Sequence, residues 1–335
     1  WMMWNWLLAC LASQAAIVTY DGSPFVRGAK TLWTLCDQDD WHVFGTSAKY
    51  IAAIDKHGYQ PREKHQMRSL KAILSTGSPL AHESFDYVYR DIKEDVLLGS
   101  ISGGTDIVSC FCLSCPTLPV YRGELQCAGL GLAVDVVDDA GQSVIDEKGE
   151  LVCRQPFPVM PVRFFGDADG TMYRSAYFER FAGIWAHGDF AERTARDGFI
   201  IHGRADATLN PGGVRIGTAE IYRQVESVPA VLESLAIDQT VGDDVRIVLF
   251  VVLREEVTLD DDLRETIKNQ IRKNTTPRHV PEIIAQVPDL PRTVSGKIVE
   301  LAVRNMVHGD IVKNIEALAN PDALDYFKNH PDVCI

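Results

Sequence analysis

HGDFAERTARDGFIIHGRADATLNPGGVRIGTAEI, residues 187–221, is the stretch from which the rest of the chain is best read. It carries an isolated acid, Asp189, then a Gly203-Arg204 pair, a second acid at Asp206 and a glycine-rich turn before a helical pattern. A carboxylate accepts two hydrogen bonds at once, so Asp189 suits the cis-diol of a ribose. Arg204, downstream, offers a planar fork of donors that can close on the same sugar or its phosphate. Between them ARDGFI reads as a hairpin, two short apolar runs about Asp197-Gly198. Each such turn alone is only a turn; three features in this order and at this spacing say more.

A second block lies further on, LPRTVSGKIVE at residues 290–300. Pro291 sets an extended entry, Ser295 and Gly296 a tight turn, and Lys297 the opening of a helix. A lysine beside a glycine turn is a compact charge that can meet developing negative charge. By itself SGK is weak and reads better as a solvated surface lysine.

Taken together, the two blocks resemble the signatures of the AMP-forming acyl-CoA synthetases, the adenylate-forming superfamily. The resemblance implies an α/β plus α+β chain: part of a large N-terminal domain over residues 1–203, a hinge at 204–207 centred on Asp206, and a small mobile C-terminal domain over 208–335. It implies ATP/AMP contacts from Asp189, Arg204 and Arg215, and a catalytic Lys297 for the adenylation half-reaction. The loop Asn210-Pro211-Gly212-Gly213 would face the CoA pantetheine after rotation about Asp206, with Gly212 and Gly213 lining a narrow thiol channel. Arg272 is the other basic residue placed to meet CoA phosphates, although on its own it reads as a solvated helix face.

Upstream, LLGSISGGTDIVSC ends a strand in a glycine turn followed by Thr105-Asp106. Loops at the carboxyl ends of parallel strands leave backbone groups free for ligands. In the superfamily this position usually reads aromatic-x-Thr-Glu, which implies Gly104 and Thr105 near phosphate, Thr105 with a catalytic part, and Asp106 on Mg²⁺. Aspartate here is one methylene shorter than the usual glutamate; one carboxylate still suffices for Mg²⁺ that is otherwise held by phosphate. STGSPL, residues 75–80, resembles the adenine-contacting turn, with Gly77, Ser78 and Pro79 presenting backbone to the base; as an unassisted motif it is an ordinary turn. Acetate-specific relatives place a tryptophan two residues before the threonine, where this chain has Gly103. That difference implies an acyl pocket larger than acetate needs. The texture of WMMWNW, YDGSPF, SGGTDI and LNPGGVRIGTAEIY is similar to the branch that activates acetoacetate.

The remaining sequence fits this reading without suggesting it. With 335 residues there is room for more than one domain, and 46% hydrophobic with 24% charged residues is ordinary globular composition. A net charge of −13 argues against a nucleic-acid partner, which needs a concentrated basic surface. Cysteines fall at 10, 36, 110, 112, 115, 127, 153 and 334. The 110–112–115 spacing could bind metal, but no fourth ligand stands nearby and the surroundings are apolar, so free thiols in a reducing cytosol are expected. The uncharged opening WMMWNWLLACLASQAAIVTY lacks a basic flank and is interrupted by Asn5, Ser13 and Gln14. It reads as a buried helix to about Ser13 and a strand AIVTY (16–20), not a membrane span.

Further strands are expected at 42–46, 71–77 and 96–104, and helices at 48–57 and 82–92, the pattern of a wound α/β layer. Residues 118–185 read as short strands with Asp/Gly turns, suiting a distorted barrel. Beyond the hinge come a helix (218–226), a strand (246–253), a helix (259–273), a strand (282–287) and a helix after Lys297, with a surface tail from Asn320. The chain opens at Trp1, and no Ser/Thr/Gly-rich phosphate loop is found in it. It is therefore expected to be the C-terminal half to two-thirds of a longer protein, inactive alone. Another short- or medium-chain acyl-CoA synthetase, a carrier-loading or luciferase-like adenylate-former, and a non-catalytic homologue stay open as alternatives.

Overall fold

The computed structural model describes residues 2–211, 214–242, 244–294, 296–312 and 314–333. The chain divides into two compact units: residues 1–187 with 191–201, and residues 188–190 with 202–335.

The first unit opens with α1 (Met2–Ala12) and α2 (Thr31–Gln38). An α/β layer follows: β1 (Val43–Ser47), α3 (Ala48–Lys56), α4 (Pro61–Lys64), β2 (Ala72–Thr76), α5 (His82–Tyr87) and β3 (Leu97–Ser100). Ser47 ends β1 and starts α3, its hydroxyl accepting the Tyr50 N–H at 3.1 Å, as an N-cap should. The strands pair in parallel as β1-β2-β3, with Val43 opposite Ala72 and Ala72 opposite Leu97. Trp33, Ile51, Ile54, Leu70, Ile73 and Leu98 are buried at the centre of this layer. Parallel strands closed off by helices need such runs of apolar residues.

Next come β4 (Ser102–Gly104), β5 (Ser109–Leu113) and β6 (Cys127–Ala128), paired antiparallel. They precede β7 (Val134–Val137), β8 (Lys148–Cys153), α6 (Thr171–Phe178), β9 (Trp185–Arg193) and β10 (Phe199–Arg204), in the sheet order β10-β9-β8-β7. Asp197 takes φ +63° in the β9–β10 turn, so the ARDGFI hairpin forms with the left-handed residue at aspartate. On β7 the buried Asp135 accepts from Arg154, Arg193 and Ser143 at 2.5, 3.2 and 2.8 Å. Burial pushes its carboxyl up, yet these partners more than offset burial and hold it below the usual aspartate value.

The second unit is an α+β layer of α7 (Thr218–Val225), β11 (Val231–Val241), β12 (Asp244–Leu253), α8 (Asp261–Asn274), β13 (Ile283–Gln286) and α9 (Glu300–His308). β11 and β12 are antiparallel with Leu235 opposite Phe250; β12 and β13 are parallel with Phe250 opposite Ala285. Asp260 caps α8 by accepting the Leu263 N–H at 2.8 Å. The same helix buries only Ile267 and Ile271, one turn apart on a single face.

Several expectations are corrected. AIVTY forms no strand: residues 16–20 are irregular and mostly exposed, because β propensity without a ladder partner leaves backbone groups to water. The opening helix forms but is not buried, with Trp4, Leu8 and Leu11 at 66%, 59% and 67% exposure. Residues 96–104 split at Ile101 into β3 and β4, which belong to different sheets. The tail from Asn320 is no surface extension: Ala323, Leu324, Phe327 and Val333 are buried, and Phe327 packs edge-on to Phe250 at 4.8 Å. Lys297 does not open a helix. Thr293 N–H donates to the Lys297 carbonyl at 2.9 Å, making a hairpin turn that pairs Arg292 with Ile298, and α9 starts at Glu300.

Candidate active site

In the second unit, β9 delivers Asp189 and β10 delivers Arg204 from neighbouring strands. Asp189 is buried, and the Arg204 Nη1 donates to its Oδ1 at 3.1 Å. Arg204 Nε also lies 3.5 Å from Asp206 Oδ1, while the arginine side chain stays about half exposed. Burial works against the guanidinium charge, but Asp189 and Asp206 more than offset it and hold Arg204 above the usual arginine value. Residue 188 has to be glycine: a Cβ there would stand 2.7 Å from Arg204 Nη2, and φ is +81°. The result is a buried carboxylate oriented by an exposed fork of donors, able to bind a diol and an adjacent phosphate together.

Phe190, next along β9, carries the Arg215 guanidinium 4.7 Å over its ring, with the His202 ring 6.2 Å away. Arg215 is thereby gathered beside Asp189's neighbour on β9 through a cation–π contact. Its turn is closed by the bridge between Leu209 and Ile216. Beyond that turn Glu220 secures the start of α7, accepting from Gly217 N–H at 3.0 Å and facing His279 at 3.3 Å. Asp206 lies in the single helical turn Ala205–Ala207. Gly212 and Gly213 lie outside the described residues.

Lys297 and Arg272 are not brought into this cluster. Lys297 is exposed on its hairpin, and among the described residues its ammonium has no ion-pair partner. Arg272 is exposed in the last turn of α8 and donates to Asn269 of its own helix at 2.7 Å. Close to Lys297, Glu300 accepts from the Tyr222 hydroxyl at 3.3 Å. Burial raises the Glu300 carboxyl above the usual glutamate value, with Asp206 adding to the shift and Arg204 opposing it.

In the first unit, two turns leave the carboxyl ends of adjacent strands. Gly77, Ser78 and Pro79 follow β2, and Gly103 to Asp106 follow β3 through Ile101. The Thr76 hydroxyl ties the turns together by donating to the Ile101 carbonyl at 3.2 Å. Thr105 and Asp106 are exposed, and the Thr105 carbonyl accepts the Val108 N–H at 3.2 Å. Gly104 lies against the buried His187 ring. The Tyr177 hydroxyl donates to Asp106 Oδ2.

The pocket-size expectation for Gly103 is corrected in one respect. A Cβ at 103 would fall 2.0 Å from the Ser109 carbonyl oxygen and 2.6 Å from Cys110 Cα. The glycine permits β4 and β5 to approach, so a side chain there points at β5 backbone and not into open space.

Magnesium, implied by the resemblance, can be tested on this donor set. Among the described residues no group of three or more His, Cys, Asp or Glu could hold a metal. One exposed carboxylate, Asp106, fits an ion carried mainly by phosphate oxygens and water, as Mg²⁺ commonly is. The described cysteines form no disulfide with one another, and Cys36, Cys110, Cys112 and Cys153 are buried. No helix among the described residues is long and apolar enough to cross a membrane.

Sequence reasoning missed Tyr177, His187, Phe190 and Glu220. His187, Phe190 and Glu220 lie within the stretch 187–221 without standing out in it, and Tyr177 is 71 residues from the aspartate it touches.

Comparison with known proteins shows what the chain is similar to. The model of the AMP-binding enzyme C-terminal domain matches residues 223–297. The acetoacetyl-coenzyme A synthetase of Rhizobium meliloti (strain 1021) is 59% identical over 327 residues, covering 98% of this chain and 50% of that protein. The acetoacetyl-CoA synthetase of Gallus gallus is 45% identical over 335 residues, covering 99% and 50%. Among solved structures, the acetoacetyl-CoA synthetase from Streptomyces lividans superposes with a TM-score of 0.90 at 40% identity, covering 98% of this chain and 51% of that one. The chain spans about half the length of the curated relatives it matches. In sequence and in its partial α/β plus α+β fold, the chain is similar to the C-terminal half of these acetoacetyl-CoA synthetases.

Proposed function

We propose that this chain supplies the C-terminal half of an ATP-dependent, AMP-forming acetoacetate–CoA ligase. A carboxylate oxygen of acetoacetate attacks the α-phosphorus of ATP, pyrophosphate leaves, and acetoacetyl-AMP results. The CoA thiol then attacks the acyl carbon, losing its proton, and AMP leaves with the bonding pair. The observation that carries the reading is the buried Asp189 held by Arg204, which suits the ribose of the nucleotide.

The other roles are assigned on that frame. Gly77, Ser78 and Pro79 face the adenine; Gly104, Thr105 and Arg215 face phosphate. Asp106 would hold Mg²⁺, which supplies charge neutralisation at the phosphates when bound. Lys297, exposed and unpaired among the described residues, is available to stabilise charge at the carboxylate and α-phosphate. Rotation about Asp206 would withdraw it and bring the Gly212-Gly213 loop and Arg272 to CoA. Thioester synthesis from ketone-body-type acids in the cytosol, as part of lipid metabolism, is the cellular setting this activity suits.

The test uses the full-length protein with acetoacetate, acetate and butyrate, measuring pyrophosphate release and thioester formation separately. Acetoacetate should give the highest kcat/KM, and Lys297→Ala should lose pyrophosphate release yet still convert supplied acetoacetyl-AMP and CoA to thioester. Preference for another acid would move the assignment to a different acyl-CoA synthetase. Absence of both half-reactions would leave a non-catalytic homologue.

A further inference from the structure

We propose that Tyr177, near the end of α6, is a positioning residue for Asp106, fixing the carboxylate so that one oxygen is presented to a nucleotide-bound divalent cation. The inference rests on the reading of Asp106 as the Mg²⁺ carboxylate.

Asp106 stands in an exposed turn between β4 and β5, where a short side chain would sample several rotamers. The Tyr177 hydroxyl removes that freedom by donating to Oδ2. The tyrosine is itself immobilised. Its ring stacks on Trp185 with centroids 3.6 Å apart and planes 12° from parallel, and Trp185 is buried. Phe164 and Tyr173 close on the same ring edge-on, each at 5.9 Å. An aromatic clamp that holds a donor against one oxygen of the exposed Asp106 leaves Oδ1 without a hydrogen-bond or ion-pair partner among the described residues. Orientation of a metal carboxylate by a second hydrogen-bonding group is a general way of tuning ion affinity.

Tyr177→Phe keeps the stacked ring and removes only the donor. Mn²⁺ binding to the full-length protein with a non-hydrolysable ATP analogue, read by electron paramagnetic resonance, should weaken about tenfold. Affinity for the analogue without metal and the Tm should stay at wild-type values, and the Mg²⁺ concentration needed for half-maximal turnover should rise with kcat at saturating Mg²⁺ retained. Asp106→Asn should abolish the Mn²⁺ signal. If Tyr177→Phe binds Mn²⁺ as the wild type does while Asp106→Asn does not, Tyr177 has no positioning role. A loss of analogue affinity equal with and without metal likewise overturns the proposal by making the effect structural. If Asp106→Asn itself leaves Mn²⁺ binding intact, the proposal falls together with the assignment of Asp106.

Discussion

The glycine turns of the first unit and the charged cluster of the second meet different physical demands. At Gly103 the neighbours are backbone atoms, the Ser109 carbonyl and Cys110 Cα, which cannot yield without separating two strands. At Asp189 and Arg204 the arrangement is a buried carboxylate met by the end of a long, half-exposed arginine side chain, set by charge. A steric constraint of the first kind fixes structure before it fixes chemistry. An electrostatic arrangement of the second kind can be taken apart at little cost to the fold. Substitution in the first unit's glycine strand therefore reports on folding, and substitution in the second unit's charged cluster reports on ligand binding.

The largest effect that would sharpen this contrast is at Gly103. Gly103→Ala should cost about 3 kcal/mol or more, lowering Tm by about 6 °C or more in a thermal melt, because overpacking against backbone cannot relax. A wild-type Tm would show that β4 and β5 tolerate the methyl and would erase the distinction. For the same reason Gly103→Trp cannot report on acyl-pocket volume.

Asp189→Ala should behave oppositely. In the full-length protein it should weaken the nucleotide-dependent step by about 2–4 kcal/mol, read as kcat/KM for ATP, because it removes a charge-assisted partner from a buried position. Its circular dichroism and Tm should stay near wild type. An unchanged ATP dependence would remove Asp189 from the site, and a collapse of the fold would place it with the glycines.

The smallest effect concerns Glu300, whose carboxyl burial raises. The folded state holds this proton more tightly than the unfolded chain, so ionised Glu300 destabilises the fold as pH rises through its folded value. Glu300→Gln, which keeps an acceptor for Tyr222, should raise Tm modestly at pH 8, and the difference should vanish below about pH 4, where both states are protonated. A pH-independent difference would assign the effect to packing instead.

Much of the fold was legible because apolar runs and the turns between them agree. KAILSTG and HVFGT supplied parallel strands, and the alternating elements after residue 208 supplied the second layer. AIVTY misled because β-branched residues favour a strand only when a neighbour completes the ladder. β11, with Ser234, Asp238 and Gln239 among its apolar residues, hid its strand pattern behind polar positions that the fold buries or pairs. Motif spacing singled out Asp189, Arg204, Thr105 and Asp106 as candidates, and the structure pairs the first two. Tyr177, His187 and Phe190 were invisible, because their meaning lies in which ring they stack on or which backbone they underlie, and sequence separation carries no trace of that.

The burial of the last described residues has a consequence for how the protein is made. Phe327 lies against Phe250 on β12, and the Val333 carbonyl accepts from Gln239 Nε2 on β11 at 3.0 Å. The second unit's core thus joins strands translated early to residues translated about ninety positions later, and it remains unfinished on the ribosome until residue 333 has cleared the exit tunnel. During synthesis β12, an almost unbroken apolar strand, waits without its cover. A stalled or truncated nascent chain would expose that strand, and this interval is where holdase chaperones would be expected to engage.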